Sequence, residues 1–261
     1  MTSSLKRFSR HPKIPILLSR PHASTFIPKD IRELMTLTDH DLRDYADLYT
    51  DEIFDLPECY GVTSDVSRLV VDLNRAPDHL IAQAELSYEG VVAAVTDHGK
   101  PIFKKPPNLK TIKRWIRLYH HPYHQQMKQW AKKVKFIIDG HAMHPFGPAQ
   151  KPDAGKARPD ISLGNREYTT CSLGTTNFIR HFFESKGYSI KVNDPYMGKY
   201  ILGSYCSRHR LPGIQIEVNK ALYLDMKTLK PKKGMIEKLN EEMEELVYLL
   251  LTEHLKVKGY S

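Results

Sequence analysis

The sequence predicts an α/β fold: one domain over residues 14–261, built on a mixed central sheet with helices on both faces and preceded by a tail over residues 1–13. Three observations predict it. Short apolar runs of strand length alternate with stretches of helical period, the pattern of a sheet covered on both sides. No Pro/Gly-rich linker, internal repeat or low-complexity segment divides the chain. Finally, 261 residues of which 41% are hydrophobic suffice for a core without disulfides or structural metal.

The first strand is "IPILLS" (Ile14 to Ser19), followed by the loop "RPHASTFIP" and a short helix starting near Lys29. "DHDLRDYADLYTDEIFDL" places Leu42, Tyr45, Ala46, Tyr49, Ile53 and Leu56 at three- and four-residue steps, so it reads as one helix capped by Asp39 or Asp41 and stopped before Pro57. "SRLVVDLN" is β-branched and apolar enough for a strand, leading to a loop at Pro77 and Asp78. From Thr96 to Asn108, three prolines and three lysines suggest a surface excursion, a lid or flap beside a site. The stretch from Leu109 to Val134 is helical in period, with Pro122 expected to kink or interrupt it. "VKFIIDG" is a second buried strand ended by Gly140, and a loop runs from Pro145 to Pro159. "TTNFIRHFFESKG" is a helix closed by Gly187, and "YSIKVN" and "GIQIEV" are further strands. The chain ends in an amphipathic helix with Met235, Leu239, Met243, Leu246, Leu249 and Leu250 on one side.

Charge narrows the partners without choosing one. Thirty-nine Lys plus Arg against 30 Asp plus Glu give a net charge of +9, which suits nucleic acid, an anionic surface or a small acidic substrate. Cys59, Cys171 and Cys206 are odd in number and lack any C-x-x-C pairing, so no disulfide framework or cysteine zinc knuckle is expected. A reducing compartment follows. No apolar run approaches twenty residues or a signal-peptide core, so a soluble cytoplasmic protein is expected, with no membrane partner.

Three polar residues stand at the ends of core strands or within them: His22 after "IPILLS", His141 after "FIID", and Glu217 inside "QIEV". The carboxyl ends of strands in open α/β sheets are where ligands bind. Two imidazoles from separate strand ends plus a carboxylate are what catalytic zinc needs, whereas each His alone can equally well make a local hydrogen bond. If "GIQIEV" alternates, Glu217 emerges from an apolar strand; it is then either a buried carboxylate tuned toward neutrality or part of the solvated face of an edge strand. "SRLVVDLNR" offers Arg68, Asp72, Asn74 and Arg75, for an acidic substrate or for a structural salt bridge. "RLYHHPYH" sets Arg117, His120, His121, Tyr123 and His124 together, and Pro122 spoils a metal-binding helical spacing, which favours a site wall. Lysines between 104 and 135, interleaved with Trp115, Tyr119 and Trp130, make either a nucleic-acid surface or a solvated helix face, and no nucleic-acid module accompanies them.

Eight segments, from Ile14 to Asp225 and in order, resemble the N-formylglutamate amidohydrolase family: "PILLSRPHASTFIP", "DLYTDEIF", "SRLVVDLNRAP", "HPYH", "IIDGHAM", "PDISLGNREYTTCS", "NDPYMGKYI" and "IQIEVNKALYLD". The resemblance implies a phosphorylase/hydrolase-like fold related to the zinc carboxypeptidases. It also implies one Zn²⁺ or another divalent ion, and a small acidic N-acyl amino acid as substrate. By it His22 and His141 look like metal ligands and Glu217 like the general base. Asn74 and Arg75 would bind substrate and Arg68 would assist catalysis, and Arg117 of the "RLYHHPYH" wall is a further substrate-binding candidate. The related carboxypeptidase-like enzymes carry a glutamate ligand three residues after the first histidine, where this chain has Thr25. Asp51 of "DLYTDEIF" is the expected replacement. The implied reaction is hydrolysis of N-formyl-L-glutamate to formate and glutamate. Two other readings stand beside it: a zinc peptidase or amidase acting on another carboxylate-bearing amide, and a non-catalytic basic anion or nucleic-acid binder with a degenerate metal site.

Overall fold

The computed structural model describes residues 12–80, 87–208 and 210–259, so most of the expected tail, residues 1–11, lies outside the described residues. Its strands are β1 (Ile14–Arg20), β2 (Cys59–Thr63), β3 (Phe136–Met143), β4 (Ile161–Gly164), β5 (Ile190–Val192) and β6 (Gly213–Asn219), in the spatial order β2-β1-β3-β6-β4-β5. β2, β1, β3 and β6 run parallel, β4 is antiparallel to β6, and β5 is parallel to β4, so the sheet is mixed as expected. The helices are α1 (Lys29–Arg32), α2 (Asp39–Tyr45), α3 (Thr50–Ile53), α4 (Leu109–Trp115), α5 (His121–Ala131), α6 (Leu173–Ser185), α7 (Tyr200–Tyr205), α8 (Lys220–Tyr223) and α9 (Met235–Leu249).

Alternation along the strands splits the core in two. Ile16, Leu18, Phe136, Ile138, Ile214, Ile216 and Val218 pack with α3, α6, α8 and α9, through side chains such as Ile53, Ile179, Tyr223, Leu239, Met243 and Leu246. Leu17 and Ile137 face the other way, onto α1, α2, α4, α5 and α7 through Ile31, Leu42, Trp115, Met127 and Ile201. Both faces are thus covered by helices. No described helix is long and apolar enough to cross a membrane.

Gly140, in the middle of β3, is where this packing is tightest. A Cβ there would lie 2.6 Å from Cδ2 of the buried Phe54, so only glycine lets the ring reach the strand. Gly140→Ala is therefore expected to lower stability by about 1–3 kcal/mol, the usual cost of overpacking a core, measured by urea denaturation. An unchanged midpoint would mean that Phe54 yields freely.

Four expectations are corrected. The segment "SRLVVDLN" forms no strand; its backbone is spent on turns, with Val70 N–H donating to Ser67 O at 3.0 Å and Arg75 N–H to Asp72 O at 3.2 Å. The single helix expected from Asp39 to Leu56 is two helices, because Ala46 is extended (ψ 152°) and Tyr49 is left-handed (φ 63°). Its cap is Thr38, in a reciprocal capping box with the Asp41 side chain, rather than Asp39 or Asp41. Near Pro122 the α-helical pattern is interrupted as expected, though the helix does not end: a π turn over Ile116–His120 joins α4 to α5, which carries Pro122 in its first turn. The excursion from Thr96 is also better anchored than a free flap, since Ile102 and Phe103 are buried and Phe103 stacks on Trp115 at 5.7 Å.

Candidate active site

β1, β3 and β6 lie side by side, and their register sets the floor of a cavity. Ser19 is level with Asp139, Asp139 with Gln215, and His141 with Glu217. His22 follows two residues after the end of β1. β6 is an interior strand buried along its whole length, so Glu217 belongs to no solvated edge. Burial of its carboxyl raises its pKa to about 7; Asp47 pushes in the same direction, while His141, His22 and Arg68 oppose. Gln215 Nε2 donates to Glu217 Oε1 at 2.7 Å and fixes the side chain.

The break between α2 and α3 delivers the carboxylate that the histidines share. Asp47 N–H donates to His22 O at 3.0 Å, turning the chain back toward the end of β1. Asp47 Oδ2 then lies 3.1 Å from His141 Nδ1 and 3.5 Å from His22 Nδ1, with all three residues buried. The structure therefore brings Asp47, not the expected Asp51, to the pair. Asp51 sits on the first turn of α3 and lines a separate depression with Thr25, Ser64 and Asp65.

These three residues fit a metal ion. Their ligand atoms all fall within 4.8 Å of one another. His22 Nε2 faces Asp72 Oδ1 at 2.7 Å and His141 Nε2 faces Asp139 Oδ2 at 3.1 Å, so each ring's outer nitrogen has a carboxylate to hold its proton. That arrangement fixes the tautomer that leaves Nδ1 as an electron-pair donor. His22 Nδ1 is buried and has no hydrogen-bond partner among the described residues. A lone pair turned toward a carboxylate oxygen is unfavourable unless a cation lies between them. Around His141, burial disfavours the charged ring, but Asp139, Asp47 and Glu217 outweigh it and hold the pKa well above the ordinary value, a measure of how strongly this floor attracts positive charge. Two imidazole nitrogens and one carboxylate make a three-ligand set suited to Zn²⁺.

The turn from Arg68 to Arg75 forms one wall. Arg68 Nη2 donates to Asp72 Oδ2 at 2.7 Å, and its Nη1 lies 3.9 Å from Asp47 Oδ1. Burial raises the pKa of Asp72, but His22 and the two arginines reverse this and keep it well below the ordinary range. Asn74 lines the same cavity with its amide engaged: Nδ2 donates to Asp139 Oδ2 at 3.3 Å and to Gln215 Oε1 at 3.5 Å, and Oδ1 accepts from Ile201 N–H at 2.9 Å. Arg75 also lines it, 3.8 Å from Glu89. Arg117 is not brought here; it is exposed, in a shallow depression with Lys110, Lys113 and Arg114. Among the described residues, His120, His121 and His124 belong to no group that could hold a metal. His120 Nε2 meets Arg75 O and His124 Nε2 meets Leu73 O, both at 2.9 Å, so these rings clamp the wall's backbone. Burial pushes the His124 pKa down to about 3, which keeps the ring neutral.

Sequence reasoning missed Asp47 and much of the rim, to which Tyr45, Tyr88, Asp97, Lys151, Tyr196 and Lys199 contribute. Only Asp97 carried a signal, through the excursion that begins at Thr96. It also missed the support beneath His141, where Tyr123 OH, Ser19 Oγ and Asp139 form a buried chain with contacts of 2.8 and 2.7 Å.

Comparison with known proteins agrees with this architecture. The chain aligns with the crystal structure of an N-formylglutamate amidohydrolase from Ralstonia eutropha JMP134 with a TM-score of 0.79 and 24% identity, covering 92% of this chain and 93% of that one. It aligns with a gene product of Agrobacterium tumefaciens with a TM-score of 0.68 and 18% identity, covering 92% of each chain. These likenesses show the fold. No curated protein matches the chain. A family model described as N-formylglutamate amidohydrolase matches residues 14–224, and the chain belongs to that family.

Proposed function

We propose that the protein is a metal-dependent hydrolase of N-acyl amino acids, with N-formyl-L-glutamate, cleaved to formate and glutamate, as its substrate. The observation that carries this reading is the convergence of His22 Nδ1 and His141 Nδ1 on Asp47 Oδ2, beside a buried Glu217. Family membership supports the reaction class.

His22, His141 and Asp47 would hold one divalent ion, zinc by donor type. When bound, such an ion supplies Lewis-acid polarisation of the scissile carbonyl. Glu217 takes a proton from the attacking water and returns it to the leaving amine, which a carboxyl held near neutral pKa does in both directions. Asp72 and Asp139 keep the two imidazoles oriented through their Nε2 atoms. Arg68 faces Asp47 and Asp72 and counters charge that develops on the substrate, while Arg75 binds a substrate carboxylate.

The test is metal analysis of the purified protein combined with formate release from a panel of N-formyl amino acids. One divalent ion per chain is expected, with N-formyl-L-glutamate among the substrates turned over. Metal present with no formate from any compound would overturn the reaction; metal absent would overturn the site.

A further inference from the structure

Among the described residues four Lys and Arg side chains line the cavity, and three are matched by carboxylates. Arg68 pairs with Asp72 at 2.7 Å, while Arg75 and Lys199 share Glu89 Oε1 at 3.8 and 3.6 Å. Lys151 is the exception: among the described residues its ammonium has no carboxylate within ion-pair distance. It lies instead 4.3 Å over the Tyr88 ring and 5.7 Å from the Tyr196 ring. Aromatic faces stabilise an ammonium only modestly. Burial, together with Arg68, Arg75 and Lys199, therefore pushes its pKa down to about 8, against the pull of Asp97. A ligand carboxylate is what this position lacks.

The lysine is also held in place. Lys151 N–H donates to Pro148 O at 2.9 Å, and Gln150 N–H donates to Asp97 O at 3.0 Å, tying the loop to the rim. Two residues on, Asp153 receives a bidentate contact from Arg158 at 2.7 and 3.1 Å. An ammonium presented from an anchored loop costs little ordering when it meets an anion.

We propose that Lys151 is a specificity-determining residue, selecting N-acyl amino acids whose side chain ends in a carboxylate. This rests on the reading above that the cavity takes an N-acyl amino acid. Arg75 would meet one carboxylate of the substrate and Lys151 the other, so a substrate with a single carboxylate leaves Lys151 unmatched.

The experiment compares N-formyl-L-glutamate with N-formyl-L-glutamine, which differ in that one charge and hardly in shape. In the unaltered chain the glutamate compound should have the higher kcat/KM by about 10- to 100-fold, the usual worth of a hydrogen bond to a charged group. Lys151→Met should erase that preference, chiefly by raising KM for the glutamate compound; Lys151→Arg should restore most of it. Calorimetric binding of the two compounds to the Glu217→Gln chain reads the same preference without turnover. If the unaltered enzyme releases no formate while calorimetry still reports the preference and its loss with Lys151→Met, the reaction assignment falls and the carboxylate subsite stands. Equal binding of the two compounds before substitution, or a preference that survives Lys151→Met, overturns the proposal.

Discussion

Asp47→Ala is expected to strip the protein of bound metal, while Asp51→Ala leaves metal content at the level of the unaltered chain. Asp47 supplies the one carboxylate that both Nδ1 atoms face, at 3.1 and 3.5 Å. Changes to groups that merely orient metal ligands cost about 10- to 100-fold in affinity, and removal of a ligand should exceed that. Asp51 has no part in the cluster and lines another depression. The fold should survive either change, because the bond that turns the chain at Asp47 is made by its backbone N–H to His22 O. Elemental analysis after dialysis, with circular dichroism as the folding control, reads the outcome. Stoichiometric metal in Asp47→Ala would exclude it as a ligand; loss in Asp51→Ala alone would restore the residue that spacing favoured.

That reassignment shows what spacing alone can reach. The carboxylate expected from "DLYTDEIF" was Asp51, whereas the structure sets Asp47 of the same segment beside the histidines; the two aspartates are one helical turn apart. In a continuous helix both would share a face. The break at Ala46–Tyr49 separates them, and its cause is a contact with His22 O far away in sequence, which local pattern does not encode. The opposite error arose at Leu69–Leu73. Leu69, Val70, Val71 and Leu73 are buried against the second core, so they satisfy a strand's burial pattern, yet among the described residues no strand pairs with them. Hydrophobic pattern reports burial, not hydrogen-bond partners.

The three central strands were legible because strands buried on both faces read as continuous apolar runs. β2 and β4 were missed: five residues of "CYGVT" and four of "ISLG" are too short to show a period. His22, His141 and Glu217 were legible because strand ends converge on one place in a parallel sheet. Lys151, Tyr196 and Lys199 were not, since their convergence depends on how long loops fold back. The basic helix surface from Lys104 to Lys135 takes no part in the cavity.

Glu217→Gln is expected to lower kcat by about 10²- to 10⁴-fold, the range attributed to a positioned general base, with metal content retained. The substitution keeps the side chain's shape in an interior strand and leaves an oxygen to accept from Gln215 Nε2, which now stands 2.7 Å away. What it removes is the ability to carry a proton from water to the leaving nitrogen. Glu217 lies outside the His22–Asp47–His141 donor set, so the ion should stay. Stability should not fall either: burial already disfavours this carboxylate, and an uncharged amide escapes that penalty. Formate-release kinetics, elemental analysis and urea denaturation on one preparation separate the three effects. A kcat within tenfold of the unaltered enzyme would remove Glu217 from proton transfer, whereas loss of the ion would make it a ligand. Low kcat with metal and fold intact is the pattern expected of a proton carrier, and it divides the cavity floor into residues that hold charge and one that moves it.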